Sequence, residues 1–584
     1  MQTNNGSKNS LAQTIKGIWL ILIIAGSSLL LLTSTPQTQA DHTRFGLARE
    51  ASKPASLLGA VSTNTETPIP TVFPVLMQVT ATVTLTPTPT PTNIYFPGSS
   101  PSPSTTPTNT PPNTATPPPG QATATVIPLP SLYVAQNGKD SNPCRSETAA
   151  CKTIGAAISK ARDSETISIL PGTYQESLVL TRSLNLVGQG IDKTFLDGAS
   201  VSTVISISQD VTVKIFGVTI QKGQSATQGG GIYNLGHLTL TSSVLQENLG
   251  EDGGGLYNGP NEGGVNSARG FSTLNNCTFS KNQATGSGGS IQNEGLLRIE
   301  NSTFSENTAA DDGGAIINTG NLTLRKTTLQ KNSAGTSGGA IRNNGGTVTV
   351  EQSSIQGNKA GSIGGGIINN FNTEWLLQGT LTFSESVVSN NGAELGGGIA
   401  NISSTLTLLN STLDNNQAGG SGGGLFNAGG QADLTDSTLR NNQASAGTGG
   451  GITNAIGSFE STLSGLSADN VLTGTVILTR SILSGNTASA EGGGIVNGGI
   501  LQLTDSMVNG NSSKTDGGGL VNTEGGKVTS NRSTFSQNKA AGHGGGFLND
   551  RGIATLSNTT VSGNSATGGY GGGLKNNLGQ VKLL

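Results

Sequence analysis

Residues 293–318 read NEGLLRIENSTFSENTAADDGGAIIN, and the reading of this stretch decides the fold. Leu297-Arg298-Ile299 alternates apolar and charged residues, the pattern of a half-buried strand. Ser302-Thr303-Phe304-Ser305-Glu306-Asn307 gives a second short run, and Gly313-Gly314-Ala315-Ile316-Ile317-Asn318 gives a third. The closing hexapeptide returns along the chain, ending at Asn234, Asn258, Asn293, Asn318, Asn343, Asn369, Asn401, Asn427, Asn454, Asn497, Asn522, Asn549 and Asn576. Most intervals are about 24 to 27 residues. That is far too long for a hairpin and suits one three-strand turn of a right-handed parallel β-helix, a solenoid in which each coil is buried by its neighbours.

Aligning the coils produces columns. Leu245, Phe279, Phe304, Leu329, Ile355 and their successors to Val561 form one apolar column, and Ile232, Leu256, Ile291, Ile316, Ile341 and their successors to Leu574 form another. Stacked strands lie about 4.8 Å apart, so each column is a continuous apolar spine. A polar column runs beside them through Asn307, Asn332, Asn358, Asn416, Asn442 and Asn511, among others. An amide carries two donors and an acceptor, so like residues stacked along an axis bond to one another as a ladder. Asparagine also tolerates the left-handed backbone of a sharp corner. The ladder therefore reads as structure and not as an active site. Cys277 falls in a column otherwise made largely of serine (Ser302, Ser353, Ser411) and reads as a buried free thiol.

Composition agrees. Glycine contributes 87 of 584 residues, while charged residues make up 11% and aromatics 4%. Stacked thin coils need little aromatic bulk, unlike an ordinary globular core. The formal net charge of −3 gives no electrostatic case for nucleic acid or for anionic membranes. No motif calls for a cofactor.

Four segments follow. Residues 1–40 carry Lys8 and Lys16 ahead of an apolar run, Ile18 to Leu32, and the small-residue site Thr38-Gln39-Ala40, which fits a secretory signal or an N-terminal anchor. Any membrane contact is expected through this segment alone. Residues 41–130 lack hydrophobic periodicity and include TPTPTP at 86–91, a composition that favours a disordered or extended polyproline stalk. Residues 131–228 hold the cap and first coils, with a short amphipathic helix over Thr153 to Ala161 as a lid. Residues 229–584 hold the glycine- and asparagine-rich repeats. Cys144 and Cys151, with six residues between them, suit a local disulfide in an exported protein, the alternative being two free thiols.

Two candidate sites emerge. Positions just before each glycine run form an outer row that holds Asp252, Asp312, Glu491, Asp516 and His543, but also Gln228, Ser287, Ser337 and Thr448. Glu491, Asp516 and His543 occupy consecutive coils and could bind a metal ion or act as acid and base; the competing reading is a solvated corner. The second candidate comes from three long intervals whose surplus lies at one corner, at about 259–271, 370–380 and 455–475. They carry Phe271, Phe371, Trp375 and Phe459 in a chain poor in aromatics, and insertions in solenoids often mark the binding face. These rings either face a ligand or fold back onto the wall.

The repeat resembles that of the chlamydial polymorphic outer-membrane proteins, with their FxxN and GGAI motifs. Phe304-Ser305-Glu306-Asn307 precedes Gly313-Gly314-Ala315-Ile316; Phe279 to Asn282 and Phe535 to Asn538 repeat the first motif, and Gly338 to Ile341 the second. The resemblance spans roughly Gly229 to Gly573. Tyr133-Val134-Ala135, Pro171-Gly172-Thr173-Tyr174 and Leu186-Val187-Gly188 are similar to the opening coils of pectin-lyase-like β-helix proteins. These resemblances imply export, an extracellular or cell-surface location and, for the chlamydial group, adhesion. Leu578 to Leu584 matches Leu235 to Thr241, the start of a further coil, so the expectation is either that the reading frame continues beyond it or that this end is capped by a partner or by self-association. The sequence thus predicts a non-enzymatic exported protein that contacts a glycan or a protein at a cell surface. The alternatives are a polysaccharide lyase or hydrolase and a purely structural envelope protein.

Overall fold

A computed structural model of the chain describes residues 132–260, 270–458 and 471–584, together with a short pairing of Ile24–Ala25 with Ser28–Leu29. The signal or anchor segment and the stalk otherwise lie outside the described residues. The remainder is an all-β parallel solenoid of about 15 turns. In the coil 293–318, Leu296–Glu300 belongs to the first sheet, Thr303–Ser305 to the second and Ile316–Asn318 to the third. Each strand pairs in parallel with its counterpart one coil away, Leu297 opposite Leu322, Phe304 opposite Leu329 and Ile316 opposite Ile341. The first sheet runs as an open ladder from Leu132–Val134 to Gln580–Leu583.

The register matches the column alignment, because a one-residue slip would turn every apolar side chain outward. Both apolar columns lie in the core, with Val561 and Leu574 half-buried in the last coil. Phe279 and Phe304 stack face to face, ring centroids 4.7 Å apart.

Two features go beyond the three-strand reading. A fourth strand of two residues, Thr308–Ala309 in this coil, follows each ladder asparagine from Leu249–Gly250 to Ser565–Ala566. Its inward residue is usually alanine, since the corner behind it leaves little room. The second feature corrects the assignment of the corner. The left-handed residue is not the ladder asparagine but the one before it: Glu306, Lys331, Asn415 and Asn441 have φ between 54° and 58°. The asparagine side chain is locked inward, so its exposed predecessor takes the turn, at about 1 kcal/mol where it is not glycine.

That lock is complete. Asn307 Nδ2 donates to Asn332 Oδ1 (2.9 Å) and to the Phe279 carbonyl (3.0 Å), and Asn307 N donates to the same Asn332 oxygen (3.0 Å). Each buried amide is therefore fully used. The hexapeptide asparagines form a second ladder that the alignment placed but did not assign: Asn293 Nδ2 donates to Asn318 Oδ1 (2.7 Å) and Asn318 Nδ2 to Asn343 Oδ1 (2.8 Å). Cys277 is buried and free, and burial pushes its thiol up to about 12, which leaves no nucleophilic thiolate.

At the N-terminal end a single helix, Ile154–Lys160, closes the core with Ile154 and Ala157. Thr153 caps it, its Oγ1 accepting from Ala156 N, and the Glu176 carboxylate accepts from Ile154 N (2.7 Å) and Gly155 N (2.8 Å) at the electropositive end. Cys144 and Cys151 are joined in a disulfide, both buried, and the Cys151 backbone pairs with the edge strand at Val134. Among the described residues no helix is long and apolar enough to cross a membrane.

Candidate functional site

The outer row exists as the spacing predicts. Gln228 bridges to Asp252, and Asp312, Ser337, Ile363 and Leu395 bridge in succession. Its polar side chains turn along the row and cap the next coil. Asp252 Oδ1 accepts from Ser287 N (2.7 Å), Asp516 Oδ1 accepts from His543 N, and His543 Nδ1 accepts from Tyr570 N (2.8 Å). The His543 ring also stacks on Tyr570 at 5.7 Å. Burial, then the nearby Asp516 and Asp550 charges, push the Glu491 carboxyl above its usual range. Asp516 and His543 thus each commit an atom to the next coil's backbone. Among the described residues no group of three or more His, Cys, Asp or Glu is placed to hold a metal ion, so Glu491, Asp516 and His543 share a row without forming a ligand set.

Beside this row lies the outward face of the third sheet, which sequence reading left unassigned. It carries Tyr233, Tyr257, Gln292, Ile317, Arg342, Ile368, Ala400 and Phe426 in register. Tyr233 and Tyr257 stack at 5.1 Å, and Gln292 Nε2 donates to Glu294 Oε1 (2.6 Å). Burial pushes the Tyr257 phenol and the Glu294 carboxyl up, and the Glu294 charge raises Tyr257 further. Arg342 Nη1 donates to Asp312 Oδ2 across adjacent coils, drawing Asp312 back against the larger effect of its burial. Ile368, Ala400, Phe426 and Ala428 form a small apolar cluster outside the main core. The signal lies in the second-last hexapeptide residue, which strand alternation turns outward from the buried residue before it.

The three insertions differ in where they place their aromatic residues. Phe271 is not in a loop: it opens the first-sheet strand Phe271–Asn275, half-exposed against His237 at 6.1 Å. Gly270 is already in register with Gly295, so the surplus ends before Gly270. Phe459 lies outside the described residues, though the base of its insertion is an antiparallel pair, Ile456 opposite Thr473 and Ser458 opposite Val471. Phe371 is half-buried and its amide donates to the Ile402 carbonyl (3.3 Å).

Trp375 stands out: it is 65% exposed, with Leu376 at 63% and Leu377 at 49%. The turn beneath them is closely tied. Asn372 and Leu377 exchange two backbone hydrogen bonds (2.8 and 3.2 Å), and the buried Asn372 Oδ1 accepts from Glu374 N and Trp375 N, both at 3.0 Å. Asn370 Nδ2 donates to Asn344 Oδ1 (2.9 Å) on the preceding coil.

Residues 276–294 and 301–319 match the Chlamydia polymorphic membrane protein repeat. No curated protein matches the chain. Among solved structures, XylC in complex with xylose superposes with a TM-score of 0.31 at 9% identity, over 61% of this chain and 75% of that one. The A-module of Azotobacter vinelandii mannuronan C-5 epimerase AlgE6 gives 0.26 at 16%, over 73% and 94%. A rhamnogalacturonan lyase gives 0.24 at 11%, over 62% and 82%. The chain therefore carries polymorphic membrane protein repeats in a parallel β-solenoid.

Proposed function

We propose that this is an exported, surface-displayed β-helix protein that binds a partner along its wall, adhesin-like, without catalysing a reaction. The observation that carries the reading is the continuity of the coils. One ladder links Asn248 to Asn564 and the other Asn234 to Asn576, coil after coil. An enzyme groove on such a scaffold needs the repeat broken locally to seat reacting groups, and here the irregularities gather at one corner as insertions. The match to polymorphic membrane protein repeats supports display at a surface. The stalk composition of residues 41–130 suits a domain held away from an anchor.

The rivals remain a polysaccharide lyase or hydrolase and an envelope scaffold without a ligand. The test combines two assays on the full chain: saturable binding to intact cells, and release of reducing ends or unsaturated sugars from acidic and neutral polysaccharides. Binding without release is the expected result. Release that disappears in Asp516→Ala would establish the enzyme instead, and neither binding nor release would establish the scaffold.

A further inference from the structure

Resting on the reading that the chain is exported and displayed, we infer that the corner between the first and second sheets is an array of acceptors for N-linked sugar, at Asn276, Asn301, Asn410 and Asn558.

At each of the four, the sequence places asparagine, a residue other than proline, then threonine: Asn276-Cys277-Thr278, Asn301-Ser302-Thr303, Asn410-Ser411-Thr412 and Asn558-Thr559-Thr560. That tripeptide is the acceptor signature for N-linked sugar in exported proteins. The fold puts all four in one column. Each asparagine takes the left-handed turn out of the first sheet, at φ between 47° and 55°, and each threonine opens a strand of the second sheet. Tolerance of that turn explains an asparagine there. It does not explain the threonine. Threonine stands two residues after all four asparagines, but after only Lys326, Asp436 and Arg532 among the eight other such corners from Ser242 to Arg532.

The local geometry suits the chemistry. All four asparagines are exposed, Cys277, Ser302 and Ser411 behind them are buried, and the threonines come back out, so amide and hydroxyl both reach solvent. The backbone amides are committed to the next coil, Asn276 N to the Glu300 carbonyl and Asn410 N to the Thr435 carbonyl, both at 3.1 Å. The side-chain amide is bound only at the surface: Asn276 Nδ2 donates to Ser242 Oγ (3.0 Å) and Asn301 Nδ2 to Asn275 Oδ1 (3.1 Å). In the transfer, Nδ2 forms a bond to the anomeric carbon of a sugar carried on a pyrophosphate. The bond from that carbon to the phosphate oxygen breaks, the pyrophosphate carrier leaves with the electron pair, and Nδ2 gives up one proton. Nothing is oxidised. Asn276 and Asn301 lie on neighbouring coils, about 4.8 Å apart, so sugar on one crowds the other and the pair acts as a single acceptor.

The same signature elsewhere shows what the fold rejects. In Asn401-Ile402-Ser403 and Asn511-Ser512-Ser513 the asparagine is fully buried on a ladder. Asn401 Nδ2 donates to Asn427 Oδ1 (2.8 Å) and Asn511 Nδ2 to Asn538 Oδ1 (3.0 Å), so a sugar on either nitrogen would break the stack. In Asn531-Arg532-Ser533 the serine is buried and its hydroxyl donates to the Asn531 carbonyl (3.0 Å). Asn321-Leu322-Thr323 opens a first-sheet strand, with Asn321 in register between Leu296 and Thr347, so a sugar there would lie across the flat of the sheet. The acceptor corner is also distinct from the one that carries the insertions, which lies between the third sheet and the first. Sugar along one edge solubilises it and leaves the insertion edge bare for contact.

Mass spectrometry of peptides from the full chain, recovered from the surface or medium of its native cells, reads the array directly. The expected result is sugar on Asn410, on Asn558 and on one of Asn276 and Asn301, with Asn401 and Asn511 unmodified. Masses that step by single sugars identify a nucleotide as the pyrophosphate carrier, and one fixed block identifies a lipid. Asn410→Gln and Thr412→Val should each remove the sugar from that peptide, and Thr412→Ser should keep it. The melting temperature should be unchanged in all three, since Gln352 already holds the same corner at φ 48°. The inference is overturned if all four asparagines are bare in that material, if Asn511 carries sugar in the folded chain, or if the sugar survives Asn410→Gln, which would place it on a hydroxyl. Bare asparagines on a chain that binds cells reject the inference and leave the surface-binding function standing; sugar at this corner on a chain that binds no cell rejects that function and leaves the inference standing.

Discussion

The cap and the repeat solve the same corner with different chemistry. In the third sheet, the inward position filled by Asn234 and its successors is occupied in the two preceding coils by Ile207 and Leu180. At the second corner Gly223 stands where the ladder begins, its amide donating to Asn248 Oδ1 (2.8 Å). Both fillings fit one backbone path. The cap coils instead rely on separate devices: a disulfide, a capped helix and the Glu176 carboxylate. The repeat relies on one device copied along the axis. A defect in the cap is therefore local, while a defect in a ladder strips partners from two neighbouring coils at once.

Removing a rung is the sharpest way to break this contrast. Asn332→Ala deletes the acceptor for Asn307 N and Nδ2 and the donor to the Phe304 carbonyl, all buried. Each orphaned group costs about 1–3 kcal/mol, so a loss of about 4 kcal/mol is expected, read as a lower urea midpoint for the repeat. The same change at Asn564, in the half-buried last rung, should cost about 1 kcal/mol. Equal losses at the two positions would mean that the ladder is not cooperative along the axis.

Next in size comes the cap. Cys144→Ser with Cys151→Ser opens a loop of sequence separation 7, worth about 2–3 kcal/mol in the chain-entropy account. The expected signature is faster amide exchange over 132–180 with exchange in the repeat unchanged. Exchange that also rises beyond residue 229 would show that the cap supports the whole stack.

A smaller effect tests the outer row through pH. Burial and the neighbouring Asp516 and Asp550 raise Glu491 in the folded state above its unfolded value. A raised carboxyl favours folding below its unfolded value, and that contribution is lost as pH rises through the folded value. At pH 7 the charged Glu491 is therefore a burden, and Glu491→Gln should stabilise by about 0.5 kcal/mol there, allowing for solvent screening, with the gain vanishing near pH 4. A gain independent of pH would assign it to packing. Smallest of all, Trp375→Ala should move the melting temperature within the range of about ±0.5 kcal/mol typical of surface changes.

Much of this architecture was legible because columns average over coils. Ile316 and Phe304 recur at positions whose register the sheets reproduce residue for residue. What escaped was set by local bonding that a column does not display. The left-handed corner fell one residue early because the bond from Asn307 to Asn332 holds the asparagine inward. The two-residue strand Thr308–Ala309 is too short to show alternation. In the outer row the spacing placed Asp516 beside His543, but it could not tell that both would cap the next backbone amide. Trp375 was visible from composition alone, whereas its rigidity depends on Asn372, an ordinary residue until its side chain is seen beneath the turn.

The central claim is that these coils stand outside a cell as a binding wall, and limited proteolysis of intact host cells tests it most directly. The account predicts that peptides from residues 229–584 are released from unbroken cells by added protease, with insertion segments cut before the ladder-bonded strands. Protection of every coil until the cells are lysed would contradict it.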